Sequence, residues 1–232
     1  MKLNTTWLTI DPLTPKQFEK LSDNIARDQF TQATTTGFIV DAARAAWLDA
    51  RFIQKRSFVE TIVDPFGNEL KAARISYAQT RFILSKQRPN LVVINPPRSL
   101  SAFVTRIGEH ADTTAAIFSP TTASKAIIAA MARKARIAKI TGILASDIEL
   151  RGQASAKVLI QGEEDIRAAI KELIGERKHC IKEVQLEALL ENGADLKVTV
   201  KENARFSIQT ADEECALTYI RAVLQELERA KP

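Results

Sequence analysis

With 232 residues, 45% of them hydrophobic and 26% charged, the chain has a globular composition and room for one large domain or two small ones. No apolar run reaches the roughly 20 residues that span a bilayer, and MKLNTTWLTI lacks the apolar stretch and cleavage site of a secretory signal, so no membrane partner is expected. Cys180 and Cys215 are too few for a disulfide framework and not spaced as a zinc knuckle, which points to a reducing, cytoplasmic setting.

The net charge of +5 is unevenly spread. Met1 to Lys139 carries 20 basic against 11 acidic residues, whereas Ile140 to Pro232 carries 13 against 17. A basic half joined to an acidic half suits an anionic partner for the first, and a different contact for the second.

In chain order, TPKQFEKLSDNIARDQF predicts a helix. Thr14 and Gln17 are spaced as a capping box, Pro15 stands at the first helical position, and Phe18, Leu21 and Ile25 form the apolar stripe. TTTGFIVDA, AAWLDARFIQKRSFVETIVD and LKAARISYAQTRFILS are rich in β-branched and aromatic residues and predict an antiparallel meander. Asp64 to Glu69, with Pro, Gly and Asn between apolar runs, is its hairpin loop. NLVVI is a short strand. RSLSAFVTRIGEH is a helix with Leu100, Phe103, Val104 and Ile107 on one face.

A basic connector helix is expected over 121–139, with Ile127, Ile128, Met131 and Ala135 as its stripe. Residues 140–232 then read strand, strand, helix and strand, strand, strand, helix, with Ile166, Ile170, Leu173 and Ile174 on the first helix and Leu217, Ile220, Leu224 and Leu227 on the second. That echo of pattern raises an internal repeat, although residue identities do not support one. The expected fold class is α+β in two domains. Residues 1–120 would form a β-meander with flanking helices, and residues 140–232 an antiparallel sheet with helices on one face.

Two short motifs point to chemistry and fail on context. Asn95-Pro96-Pro97 in VVINPP resembles the Asn-Pro-Pro turn of adenine-amino methyltransferases, which implies an amino group held by Asn and a base stacked on a following aromatic. Arg98 stands where that aromatic belongs, and Gly37 and Gly67 are the glycines upstream, so no Gly-rich turn exists to cradle a nucleoside cofactor. The expectation is a strand end, with Asn95 or Ser99 capping the next helix and Arg98 in its first turn, an arginine positioned to meet an anion. Asp64 with Glu69-Leu70-Lys71 resembles the Asp and Glu-x-Lys metal site of a nuclease family, but one turn separates the parts, whereas that site draws on two core strands.

His179 and Cys180 are strand neighbours whose side chains point to opposite faces, and a His110–Cys180 pair has no supporting pattern. Glu163, Glu164 and Asp165 belong to a helix start for dipole reasons. No catalytic residue, metal ligand or cofactor motif is assigned.

The basic run is the remaining signal. Lys125, Arg133, Lys134, Arg136 and Lys139 occur without an acidic residue between Thr121 and Lys139, and Arg98, Arg56 and Arg81 add to the basic half. The expectation is a non-enzymatic accessory protein that contacts nucleic acid through these residues. The alternatives are a protein–protein adaptor or homo-oligomeric assembly subunit, and a hydrolase without a recognisable motif.

Overall fold

A computed structural model describes residues 1–111, 115–119, 130–131, 133–150, 154–190 and 193–229. Among them the fold is a mixed α+β arrangement dominated by one antiparallel sheet of eleven strands, with four helices. The strands are β1 (Lys2–Asp11), β2 (Thr36–Ala43), β3 (Trp47–Val63), β4 (Glu69–Ser85), β5 (Leu91–Ile94), β6 (Ala116–Phe118), β7 (Ala135–Glu149), β8 (Ser155–Gln161), β9 (Cys180–Leu190), β10 (Asp195–Lys201) and β11 (Arg205–Gln209). The helices are α1 (Pro15–Arg27), α2 (Ser101–His110), α3 (Arg167–Leu173) and α4 (Glu213–Arg229). Strand order is β2-β3-β4-β5-β1-β11-β10-β9-β7-β8, with β6 paired to β1.

The expected boundary near residue 120 is crossed by backbone hydrogen bonds. β1 pairs with β5 through Thr5–Leu8 and with β11 through Lys2–Thr6, so the N-terminal segment lies in the middle of the sheet. β1 has no alternating strand signature in the sequence, because it is buried on both faces. Leu3 and Trp7 point to one side, Leu8 and Ile10 to the other, and such a strand loses its polar–apolar alternation. Beyond Leu8 the β5 side is completed by Asn90. Its fully buried amide accepts from the Ile10 N–H at 2.7 Å and donates to the Ile10 carbonyl at 3.0 Å.

Helices cover both faces of the N-terminal strands. On one face Phe18, Leu21 and Ile25 of α1 and Phe103 and Ile107 of α2 pack on Phe82, Leu84, Leu91 and Val93. The Thr14–Gln17 capping box of α1 forms as expected. The opposite face carries Trp7, Ile83, Val92 and Ile94 and packs with Leu217, Ile220 and Leu224 of α4. The same helix covers Leu186, Ala188, Val198, Phe206 and Ile208 of β9–β11. Ile166 and Ile174, which flank α3, pack on Ile143 and Ile160, and Val184 touches both clusters, so both C-terminal helices share a face.

Three expectations change. β7 begins at Ala135, so Arg136 and Lys139 stand on a strand and not on the connector helix. The β-branched run Ile137, Ile140, Thr141, Ile143 favours that strand over continued helix. Helical backbone precedes it at Ala130, Met131, Arg133 and Lys134, while Ile127, Ile128 and Lys125 lie outside the described residues. α2 starts at Ser101 with Leu100 at its N-cap; the Ser99 hydroxyl accepts the Ser101 N–H at 3.4 Å from one position further out, Asn95 does not cap the helix, and Arg98 precedes its first turn.

Candidate functional site

Asn95 ends β5 in the left-handed region, at φ 44°. Its N–H donates to the Asn4 carbonyl at 2.7 Å, and its Oδ1 accepts from the Asn4 N–H at 2.9 Å. One residue therefore closes the β1–β5 ladder from both its backbone and its side chain, as asparagine does more readily than other non-glycine residues at positive φ. Pro96 and Pro97 have no N–H to continue pairing, so the chain lifts away from the sheet and carries exposed Arg98 with it.

That loop overhangs the part of the α1–α2 face that lies beyond those two helices, over β1, β11 and β10. Strand alternation places Lys2, Asn4 and Thr6 of β1 beside Gln209, Ser207 and Arg205 of β11, next to Lys197, Thr199 and Lys201 of β10. On β9 the same face carries Glu183, Gln185 and Glu187. Both carboxylates there are paired. Glu183 meets Lys201 at 3.3 Å, and Glu187 meets Lys197 at 2.7 Å and Lys139 at 3.3 Å. Hydrogen bonds from Gln185 to Glu183, and from Lys197 to Glu187, are the main reason both carboxyl groups sit below the usual glutamate range.

Between the loop and this face lies a groove of about 470 Å³. Arg98, Arg205 and Lys201 line it together with Asn4, Thr6 and Ser207. No carboxylate is among its lining residues, and neither Arg98 nor Arg205 forms an ion pair among the described residues. Arg205 is positioned by the preceding turn. Ala204 is fully buried at φ 54°, and its carbonyl accepts the Trp7 N–H at 2.9 Å. Three cations thus converge on a polar cleft, supported by hydroxyl and amide groups that also recognise phosphate oxygens.

The other candidate residues are dispersed. Arg133 and Lys134 both pair with Glu226 of α4, at 2.7 and 3.1 Å. Lys139 also donates to the Glu163 carbonyl at 2.8 Å. Arg136 is exposed on β7. Arg56 is exposed on β3 and donates to Gln54 Oε1 at 2.9 Å. Arg81 donates to Asp49 at 3.1 Å and to Glu213 at 3.0 Å, and so joins β4 to β3 and α4. Of the residues proposed from sequence that lie among the described residues, only Arg98 lines the groove. Arg205 and Lys201 were missed, because nothing local distinguishes them from other surface cations.

His110 bonds Asp28 at 2.8 Å, not a cysteine. Asp165 Oδ1 accepts the Arg167 N–H at 3.2 Å, which serves the start of α3. Among the described residues no group of His, Cys, Asp and Glu is arranged to hold a metal, and no helix is long and apolar enough to cross a membrane. No family model matches the chain, and no curated protein matches it either.

Proposed function

We propose that this chain is a non-enzymatic nucleic-acid-binding protein that holds phosphates in the Arg98–Arg205–Lys201 groove. The observation that carries the reading is the convergence of cations from the β5–α2 loop, β11 and the end of β10 on one cleft without a lining carboxylate. Arginine is suited to the task because its planar fork grips two phosphate oxygens at once. The adjoining sheet face presents hydroxyls, amides and lysines, with its glutamates already neutralised by lysine partners. Its exposed positions are polar rather than aromatic, so the reading favours backbone contact over base stacking and little sequence preference.

The test is fluorescence anisotropy at low salt with labelled single- and double-stranded oligonucleotides, comparing wild type with Arg98→Ala/Arg205→Ala. Both side chains are exposed, so the variant keeps its core. The reading expects at least a tenfold loss of affinity. A control variant, Arg133→Ala/Lys134→Ala, is expected to lose less, because those charges already offset Glu226. Absence of binding to either oligonucleotide, or equal affinity of wild type and the groove variant, overturns the reading.

A further inference from the structure

β3 and β4 are 17 residues each and stay in register from Trp47–Ser85 to Val63–Glu69. Their flanking strands stop early. β2 pairs no further than Gln54, and β5 no further than Arg81. The base of the ribbon is braced by Phe30, whose ring meets Tyr77 edge-on at 6.0 Å. Past that point Ser57–Val63 and Glu69–Ile75 pair only with each other, an arm extending about 24 Å at ~3.4 Å per residue. A two-stranded hairpin alone in water is marginal.

The arm nevertheless exposes apolar side chains on both faces. Phe58, Ile62 and Leu70 lie on one, Val59, Val63 and Ile75 on the other, each between 43% and 65% exposed. Its apex is rigid. Asp64 Oδ1 accepts the Phe66 and Asn68 N–H groups, both at 2.8 Å, and Gly67 takes φ 85° as the turn requires. This turn holds Phe66 out at 90% exposure. Exposed apolar side chains thus recur along both faces of the arm, interrupted by the Glu60–Arg74 pair on one and by Thr61 and Lys71 on the other, and so many on one hairpin mark an interaction site.

We propose that the arm is an assembly element that packs against the arm of a second copy of this chain, antiparallel, the tip of each against the base of the other. Charge selects the occupant. From Lys55 to Tyr77 there are four cations and three carboxylates, and Arg74 pairs with Glu60, so the arm has too little net charge to draw a phosphate backbone. The charges are also graded along its length. Lys55 and Arg56 stand at the base, while Asp64 and Glu69 flank the apex with Lys71. Antiparallel packing sets the acidic end on the basic end, whereas parallel packing sets like on like. A two-stranded ribbon is the most strongly twisted form of sheet, so two coiled arms bring parts of both faces into contact.

The test is sedimentation of the full chain across a concentration series, without nucleic acid, so its outcome is separate from that of phosphate binding at the groove. Wild type is expected to dimerise, and Phe58→Ser/Ile62→Ser/Leu70→Ser to weaken dimerisation at least tenfold while circular dichroism and Tm stay near wild type. Lys55→Glu/Arg56→Glu and Glu69→Lys are each expected to weaken self-association, and mixing the two to restore a 1:1 dimer. A wild type that is monomeric at every concentration overturns the proposal, as does a dimer unmoved by the serine variant. A dimer lost in that variant but unaffected by either charge reversal overturns the antiparallel arrangement. Arm substitutions that weaken oligonucleotide binding to a monomeric chain assign the arm to nucleic acid instead.

Discussion

The carboxylate of Asp49, 1% exposed on β3, accepts a 2.8 Å hydrogen bond from Arg221 of α4, 172 residues along the chain. Arg81 approaches the same carboxylate from β4 at 3.1 Å, and the Arg221 guanidinium lies over the Trp47 ring at 5.2 Å. One buried acid therefore binds the C-terminal helix to the N-terminal strands, and it occupies Arg81, which sequence alone offers as a ligand contact.

Removing that acid leaves Arg81 with Glu213 alone and Arg221 with Glu214 at 3.7 Å, two like charges that lose their shared buried partner. Asp49→Ala is expected to lower stability by about 3 kcal/mol, the scale for losing one partner of a buried ion pair. Urea denaturation followed by tryptophan fluorescence measures it. A loss below about 0.5 kcal/mol would show that water already screens the cluster.

A second tie is pH-dependent. Asp28 follows α1 and accepts two 2.8 Å bonds from Arg106 of α2 and one from His110 at 2.8 Å. Burial pushes its carboxyl up, but these hydrogen bonds and charges outweigh burial and hold it below its ordinary 3.8. A carboxyl depressed by folding stabilises the native state above its unfolded pKa, and that contribution fades as pH falls through the folded value. Asp28→Asn is thus expected to cost about 2 kcal/mol at pH 7, and the gap to wild type to narrow below pH 4. Thermal melts at pH 7 and pH 3 decide it, and an equal gap at both would remove Asp28 from the account.

Asn90 extends the β5 ladder with its side chain alone. Asn90→Ala leaves both the Ile10 N–H and carbonyl unpaired at a fully buried position, and about 2 kcal/mol of stability is expected to go with them. Asn90→Asp is expected to be no better, since a carboxylate cannot donate to the Ile10 carbonyl. Full stability in either variant contradicts that role.

How much of this is legible in the sequence depends on the range of the interaction. The Thr14–Gln17 capping box and the Asp64–Asn68 turn are local chemistry, and both form where the residue types place them. The strand reading of Asn95-Pro96-Pro97 holds for the same reason, since asparagine and proline act on their own backbone. β1 was hidden because two-sided burial removes the alternation that marks a strand. The site was hidden for a different reason. Arg98 and Arg205 become neighbours through the β1–β11 and β1–β5 pairings, and such pairings have no trace in local pattern. Likewise, Arg133 and Lys134 pair with Glu226 of α4, and Arg81 with Glu213 of α4 and Asp49 of β3, so charge counting along the chain overstates how free those cations are.

The most direct test of the central claim is the salt dependence of oligonucleotide affinity for wild type and Arg98→Ala/Arg205→Ala. Each phosphate contact contributes about −0.9 to the slope of log K against log salt on duplex DNA, and about −0.7 on a single strand. Loss of two arginines is therefore expected to weaken binding and to flatten the slope by about 1.8 or 1.4. Identical affinity and slope for the two proteins would contradict the groove as the phosphate site.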